Sequence, residues 1–268
     1  MPTLGHVKLN ALTSERVQAL YRSKQDSGLS ARTVELMHTV LRIALNQAVR
    51  WEYLPKNVTD VVVAPTPDKN AATRTSYLTA EQACALLEAA RGDRLKVLYR
   101  LAISTGLRES ELLGLRWQDV HLQRVKLSVR QQLTRTKKDG LCFTTPKSAK
   151  SIRDVKLTPG TTEVLKAHRE RQSEEKLMVG NRWQDSGLVF TTTLGTPLNV
   201  RNTTYRSFRP LLERAGLPRI RFHDLRHTCA SALLDRNVNS KKVQELLGHA
   251  NISVKMDILL PRYAEHAG

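Results

Sequence analysis

The sequence predicts a mainly α-helical protein with one small antiparallel three-stranded sheet, an α+β fold. Apolar residues recur at three- and four-residue steps over most of the chain, which is typical of helices packed on a core. Segments with strand-like alternation are confined mainly to residues 125–157, and glycine, proline and polar turn residues separate these patterns. At 268 residues the chain is long enough for one large domain or two smaller ones.

Two helices are predicted in the first part of the chain, over residues 13–27 and 30–54. The second has an apolar face made of Val34, Met37, Leu41, Leu45, Ala48 and Trp51. The polar and turn residues that follow have no periodicity and are typical of a linker. We therefore expect a helical domain over residues 1–64, a linker over 65–77 and a second domain over 78–268.

The second domain is predicted to begin with a helix whose first turn is a capping box, Thr79-x-x-Gln82. A second helix over residues 93–105 is expected to end at Gly106, because glycine tolerates the left-handed conformation of a helix end. Two further helices are predicted over residues 158–179 and 200–215.

Three strands are predicted between these helices, over residues 125–133, 141–145 and 152–157. Turn residues at 138–140 and around 148–149 separate them. A further short strand is predicted at residues 188–190. The three main strands account for the small sheet.

The net charge of +18 indicates a polyanionic partner, and nucleic acid is the first candidate. Most of this excess lies after residue 70. Three cysteines, Cys84, Cys142 and Cys229, are far apart and form no C-x-x-C pair, which favours a reducing compartment over a disulfide framework. No signal-peptide core and no membrane-spanning apolar run is present in the sequence, so we expect a cytoplasmic protein without a membrane partner.

The stretch from His223 to His249 gathers cationic side chains at two predicted helix ends. It opens with H-D-L-R-H-T, in which Asp224 is the expected N-cap, and closes with a helix that stops at Gly248. Helix N-termini carry unpaired N–H groups and a partial positive charge. Cationic side chains at such positions favour a bound anion such as a phosphate.

A metal site is the competing interpretation of the same histidines. His223 and His227 are four residues apart on one helix, as in H-E-x-x-H, and His249 would be the third ligand. The glutamate of that pattern is missing, and Arg226 would place a fixed positive charge beside the metal. The pattern therefore favours an anion site without a metal.

Two upstream residues are further candidates for binding an anion. Arg108 follows the glycine that ends a predicted helix, and Lys147 lies between two predicted strands, where a hairpin tip would present it. Taken alone, each is better interpreted as a solvated side chain.

Together, however, these stretches resemble the tyrosine recombinases, or phage-type integrases. The resemblance rests on four motifs in a fixed order: T-G-L-R-x-S-E-L, P-K-S, H-D-L-R-H-T and L-L-G-H. It covers the chain from about Leu9 to Asp257. The predicted helix around residues 28–51 is similar to part of the core-binding domain of that family, and the predicted linker falls where the family has one.

The resemblance implies that a tyrosine attacks a DNA phosphodiester and forms a 3′-phosphotyrosine, with no metal and no cofactor. Arg108 and Arg226 match the arginines that neutralise the transition state. Lys147 matches the lysine that protonates the leaving oxygen, His223 matches an acid–base partner, and His249 matches a phosphate hydrogen-bond donor. The implied partners are double-stranded DNA and, on DNA, further copies in a tetramer.

The nucleophile departs from the pattern of the family. That family places its tyrosine nine or ten residues after the histidine of L-G-H, but ten residues after His249 is Leu259. The downstream tyrosine is Tyr263, four positions later and after Pro261. A shift of four residues along a helix moves a side chain by about 6 Å, which is more than an in-line attack tolerates.

Two interpretations of this departure stay open. Either Tyr263 is the nucleophile on a shifted segment, or it belongs to a tail and the catalytic tyrosine is absent; the sequence favours the second. The start of the chain also lies near the middle of what resembles a core-binding domain, so both ends favour a truncated or decayed integrase. The predicted function is recombination or integration of phage or mobile-element DNA, and the alternative is a catalytically inactive DNA-binding derivative.

Overall fold

The structure of the chain is a computed structural model that describes residues 3–66, 77–136, 138–145, 152–235 and residue 239. The chain divides into two compact units, Met1–Thr75 and Ser76–Gly268. As predicted, the fold is mainly helical with small antiparallel sheets. In the part of the chain that the structure describes, no helix combines the length and the apolar character that a membrane crossing requires.

The first unit contains two long helices, α1 (Ser14–Asp26) and α2 (Ala31–Arg50), in the predicted places. Their facing sides bury Val17, Tyr21 and Val34, which form a small apolar core. These positions recur at helical spacing, so the apolar periodicity of the sequence leads directly to this packing.

The end of α2 differs from the prediction by four residues, because the helix stops at Arg50. Glu52 adopts a left-handed φ of +61°, and Leu54 precedes Pro55. Proline disfavours the helical conformation of the residue before it, so the pattern could not continue as helix to residue 54. A 3₁₀ turn at Val58–Val61 follows and packs against α2.

The second unit is built around a helix that is almost completely buried. Its helices are α3 (Ala80–Ala89), α4 (Lys96–Thr105), α5 (Glu109–Leu113), α6 (Pro159–Val179), α7 (Val200–Asn202), α8 (Arg209–Arg214) and α9 (Asp224–Leu234). A π-helical segment, Thr203–Phe208, joins α7 to α8. Eight of the ten residues of α4 are buried, and α3, α5, α6 and α9 pack around it. This packing makes the end of α4 a meeting point for several chain segments.

Two of the helix ends predicted in the second unit are present in the structure, and one differs. The predicted capping box is present: the Thr79 hydroxyl accepts from the Gln82 amide at 3.2 Å, and Gln82 Oε1 accepts from the Thr79 amide at 3.0 Å. Gly106 ends α4 with a φ of +61°. Helix α4 begins at Lys96 rather than at residue 93, because the Asp93 carboxylate accepts from the Leu95 amide ahead of the helix.

The sheet region differs from the prediction of one three-stranded sheet. Its strands are β1 (Val120–His121), β2 (Lys126–Val129), β3 (Gln132–Thr136), β4 (Gly140–Thr144) and β5 (Arg153–Lys156). Among the strands that the structure describes, β2 pairs with β1 and β5, and β3 pairs with β4. The predicted strand over residues 125–133 is therefore two strands that belong to two antiparallel sheets.

Gly114, at the end of α5, explains where that predicted strand divides. A Cβ atom at Gly114 would lie 2.9 Å from the backbone of Gln132, so the start of β3 passes the helix end at a distance that only glycine permits. The Gln131 side chain also donates to the Gly114 carbonyl at 2.8 Å. These contacts bend the chain away from β2.

The short strand predicted at residues 188–190 is reduced to one bridge, between Arg116 and Leu188. The Val189 amide donates to the Leu115 carbonyl at 2.8 Å, and the Phe190 side chain is buried in the core. The apolar run at residues 188–190 is therefore a buried segment that contacts residues 115 and 116, and not a strand.

Candidate active site

Arg108 lies at the junction between α4 and α5, as the T-G-L-R motif predicts. Gly106 ends the first helix, Leu107 is buried, and Arg108 is the N-cap residue of α5. The Arg108 amide donates to Glu111 Oε2 at 2.9 Å, and Nη1 donates to Glu111 Oε1 at 3.0 Å. The Arg108 side chain keeps 43% of its surface exposed, so its guanidinium remains accessible to a ligand.

The carboxylate of Glu111 also binds Arg153, a residue of β5. Nη1 and Nη2 of Arg153 donate to the two oxygens of Glu111, each at 2.9 Å. Both side chains are only 2% exposed. Burial alone would raise the pKa of Glu111, but the hydrogen bonds from Arg153 and Arg108 outweigh it and hold this pKa below its usual range. Glu111 is therefore a buried carboxylate that stays charged and orients the Arg108 side chain.

Neither Glu111 nor Arg153 is among the predicted site residues, although the sequence contains a signal for each. Glu111 occupies the third position of α5, where an acidic side chain can reach back to the N-cap amide. Arg153 alternates with Val155 and Leu157, both of which are buried. A charged residue on the core-facing side of a strand needs a buried partner of opposite charge. The sequence therefore predicts a buried ion pair for Arg153 but does not identify its partner.

Helix α9 carries the H-x-x-R pair but begins differently from the prediction. His223 occupies the N-cap position, and Asp224, the predicted cap, is the first helical residue. The Asp224 carboxylate instead accepts from the amide and the guanidinium of Arg221, both at 2.8 Å. Burial would raise the pKa of Asp224, but these bonds lower it. The hydrogen bonds of the Asp224 carboxylate are thus made with Arg221, upstream of the helix. Sequence patterns for helix starts do not predict this partner.

Arg226 reaches from the first turn of α9 to the end of α4. Its Nη1 donates to the carbonyl of Gly106 at 2.7 Å. Gly106 precedes Arg108 by two residues. Burial, followed by repulsion from the Arg108 guanidinium, lowers the pKa of Arg226 to about 10. The two predicted arginines, 118 positions apart in sequence, are therefore close enough in space to repel each other.

His223 lies at the start of α9, three residues before Arg226, whose charge acts on it. Partial burial, followed by the positive charge of Arg226, lowers the pKa of His223 below its usual value, so the imidazole is neutral at neutral pH. Its ring packs edge-on against His227, with centroids 5.8 Å apart. A neutral imidazole can accept a proton, which suits the predicted acid–base role.

Three of the six predicted site residues are thus described, and they are brought together: Arg108, His223 and Arg226. Lys147, His249 and Tyr263 lie outside the described residues, as does the predicted linker between positions 67 and 76. Within the described ranges, no group of three His, Cys, Asp or Glu side chains is arranged to hold a metal ion.

The family to which these features belong follows from comparison with known proteins. The model of the phage integrase family matches residues 76–258, which is most of the chain. The chain therefore belongs to the phage integrases, the family of tyrosine recombinases.

Among individual relatives, the chain is similar to a XerC-like tyrosine recombinase of Caldanaerobacter subterraneus subsp. tengcongensis. The two are 35% identical over 266 residues, which cover 94% of this chain and 68% of that protein. An integrase of Streptomyces ambofaciens is 30% identical over 274 residues, covering 96% of this chain and 67% of that protein.

Solved structures show the same fold. The Tn1549 transposon integrase, determined in complex with transposon right end DNA, has a TM-score of 0.78 at 21% identity, over 97% of this chain and 83% of that one. A λ integrase dimer bound to a core site has a TM-score of 0.59 at 22% identity, over 90% of this chain and 80% of that one.

Proposed function

We propose that this chain carries out site-specific DNA recombination by breaking and rejoining strands through a phosphotyrosine. The observation that carries this proposal is the convergence of Arg108 and Arg226 at the end of α4, with Glu111 and Arg153 behind them. Two guanidiniums that repel each other are stabilised by an anion between them. The transposon end DNA named with the Tn1549 integrase and the core site named with the λ integrase support a phosphodiester as that anion.

In the proposed cleavage step, the tyrosine oxygen forms a bond to phosphorus and the bond from phosphorus to the 5′ oxygen breaks. Negative charge accumulates on the non-bridging oxygens of the pentavalent transition state. Guanidiniums suit this charge because each donates two hydrogen bonds in a planar fork. We assign this role to Arg108 and Arg226.

Proton transfers accompany that step. We assign His223 as the group that accepts the tyrosine proton, which its lowered pKa supports. Lys147 gives a proton to the departing 5′ oxygen, and His249 donates a hydrogen bond to the phosphate. In the rejoining step a 5′-hydroxyl attacks the phosphotyrosine, the bond from phosphorus to tyrosine breaks, and the tyrosine regains its proton.

We further propose that the first unit contacts the same duplex. In this proposal, residues 1–64 belong to a core-binding domain, residues 65–77 are a linker, and residues 78–268 are the catalytic domain. Strand exchange between two duplexes requires four active sites, so the DNA-bound species would be a homotetramer.

A second candidate function is a DNA-binding derivative that does not cut. The observation in its favour is that Tyr263 follows His249 by 14 residues, whereas the family pattern has nine or ten. Such a protein would keep the phosphate contacts of Arg108 and Arg226 and occupy recombination sites without exchanging strands.

Trapping the covalent intermediate separates the two functions. A duplex that contains the sequence bound best by the chain, with a nick close to the cleavage site, should form a protein–DNA adduct. The short strand between the cleavage site and the nick carries the 5′-hydroxyl, and its dissociation prevents rejoining. The adduct should be absent in Tyr263→Phe and retained in Tyr53→Phe, which alters an exposed tyrosine of the first unit. Binding without an adduct in the unmutated chain would favour the DNA-binding derivative.

Binding to duplex DNA should depend steeply on salt, because each Lys or Arg contact with a phosphate releases counterions. For about six such contacts, affinity should fall by roughly 10³-fold between 50 and 200 mM salt. Titrations of a labelled duplex by fluorescence anisotropy at several salt concentrations measure this slope. An affinity that barely changed over that range would contradict an interface built on phosphates.

A further inference from the structure

Helix α2 is apolar on two sides, and one of them packs within the first unit. That inner side carries three buried residues, Val34, Leu45 and Ala48. On another side, a row of three apolar residues, Leu36, Val40 and Ile43, is 61–65% exposed. The outer side of a surface helix is usually polar, so a helix that is apolar on both sides indicates a second packing partner.

Two apolar grooves lie beside this row of exposed side chains. The first has a volume of about 450 Å³, and the second, of about 360 Å³, is lined at the end of α2 by Trp51 and Tyr53. Leu41 and Ala44 line both grooves, which are therefore continuous along the helix. We call the following six residues the α2 face: Leu36, Val40, Ile43, Ala44, Trp51 and Tyr53.

The α2 face fits a second copy of itself. Leu36, Val40 and Ile43 are spaced by four and three residues, the spacing with which one helix places its side chains between those of a facing helix. The groove that would receive them lies beside them on the same helix, around the small residue Ala44. In a two-fold contact each copy places its row in the groove of the other, so both are covered at once.

The size of the α2 face is close to what a stable dimer needs. With about 150–250 Å² for an aromatic side chain and less for an aliphatic one, the exposed fractions amount to on the order of 600 Å² per copy. A stable interface of standard size buries about 800 Å² per partner. Trp51 and Tyr53 are 63% and 66% exposed, and aromatic residues of these two types often dominate the binding energy of an interface.

The charges around the α2 face also permit two copies to meet. Each chain has a net charge of +18, which would oppose a contact through a basic surface. The six residues of the face are uncharged. Arg42, which lies between Val40 and Ile43 in sequence, pairs with Asp60 at 3.3 Å. The face is therefore a surface through which two such basic chains can pair without strong repulsion.

We propose that two copies of the chain form a dimer through the α2 face in the absence of DNA. This inference goes beyond the proposed function and does not rest on it, because the contact lies within the first unit and involves no phosphate. A two-fold contact closes with two copies, so this dimer differs from the tetramer proposed on DNA. Val40, in the middle of the exposed row, lies nearest to the two-fold axis.

Sedimentation velocity of the full chain without DNA tests this inference. The unmutated chain should change from monomer to dimer between about 1 and 100 µM, since an interface of this size often has a micromolar Kd. Val40→Glu should weaken association by at least about thirtyfold, because pairing would bury two carboxylates close together. Val61→Glu is the matched control: it changes a 76% exposed valine of the same unit outside the face, and it should dimerise normally.

Trp51→Ala gives a second comparison that introduces no charge. It should weaken the dimer by roughly tenfold or more, as the loss of a central aromatic contact does at other interfaces. Because Val40 and Trp51 are both exposed, neither change should lower the thermal unfolding midpoint measured by circular dichroism.

Three results would overturn the inference. The first is a chain that stays monomeric up to about 100 µM, in which case the α2 face belongs to a different partner. The second is a dimer that Val40→Glu and Trp51→Ala leave unchanged, because it would form through another surface. The third is association into ever larger species, which a closed two-fold contact does not allow. DNA binding and adduct trapping test the proposed function separately, so either proposal can fail without the other.

Discussion

Replacement of Arg226 by alanine is expected to slow formation of the covalent DNA adduct by about 10²–10³-fold. Arg226 is half-buried, and its Nη1 binds the carbonyl of Gly106, two residues before Arg108. In such a setting a guanidinium interacts more strongly with developing charge than it would in water. The loss should appear mainly in the rate of cleavage, since that charge is largest in the transition state.

Duplex affinity should change far less than the cleavage rate. One lost phosphate contact lowers affinity by at most about tenfold at 0.1 M salt. Single-turnover adduct formation and anisotropy titrations on the same preparation give the two quantities. Arg226→Lys should fall between alanine and the unmutated chain, because lysine keeps the charge but loses the planar fork.

A matched control is Arg182→Ala, which removes an exposed arginine of the same unit from the turn Gly180–Arg182. It should leave the cleavage rate within about twofold, since a solvated arginine away from the site contributes little. Equal rates for Arg226→Ala and the unmutated chain would remove Arg226 from the proposed mechanism. A cleavage loss matched by an equal loss of affinity would assign Arg226 to ground-state binding.

The second large effect is expected for Arg153→Met, which should lower the free energy of unfolding by about 3–5 kcal/mol. Methionine fills much of the same space but leaves the Glu111 carboxylate buried with fewer hydrogen bonds. Glu111 keeps its two hydrogen bonds from Arg108 but loses the two from its buried partner, and truncating one member of a buried ion pair costs more than the intact pair contributes. For a unit of this size the melting temperature should fall by roughly 10 °C.

Arg130→Met provides the comparison for that variant. Arg130 directly follows β2, but its side chain is 57% exposed. Its Nε lies 3.6 Å from Oδ1 of Asp119. Asp119 is buried but stays paired with Arg116 at 2.7 Å, so loss of the exposed Arg130 should cost at most about 1 kcal/mol. Thermal unfolding followed by circular dichroism measures both variants in the same buffer.

A double variant, Arg153→Met with Glu111→Leu, tests whether the loss of stability comes from the buried carboxylate that no longer binds Arg153. Removing both charges should restore much of the stability, because no buried charge is left without its partner. The same protein should still cleave slowly, since Arg108 loses the carboxylate that orients it. A double variant as unstable as the sum of the single changes would show that the pair is not coupled.

Helices and their end signals could be predicted from the sequence because they depend on local spacing. The Thr79 capping box and the glycine end of α4 at Gly106 involve residues within one helical turn. The H-D-L-R-H-T motif likewise identified the helix that carries Arg226. In each case the stabilising contact lies within a few residues, so a short window of sequence contains the whole interaction.

The sheet prediction was wrong in detail because its deciding contact is not local. Alternation over residues 125–133 continues smoothly in the sequence, yet the strand divides after Val129. The division depends on the close approach between Gly114 and Gln132, which come together only when α5 packs against β3. Alternation predicts which side chains face inward but not which neighbour a strand pairs with.

By itself, the sequence determined the mainly helical fold, the family motifs and the identity of Arg108, His223 and Arg226 as candidate site residues. Only the tertiary structure decided that Arg226 binds the Gly106 carbonyl beside Arg108, and that Glu111 is held by Arg153 from 42 positions away. The physical reason is that local patterns determine helices through contacts within a turn. Electrostatic partners are chosen by packing, which brings distant residues together and removes the water that would otherwise screen them.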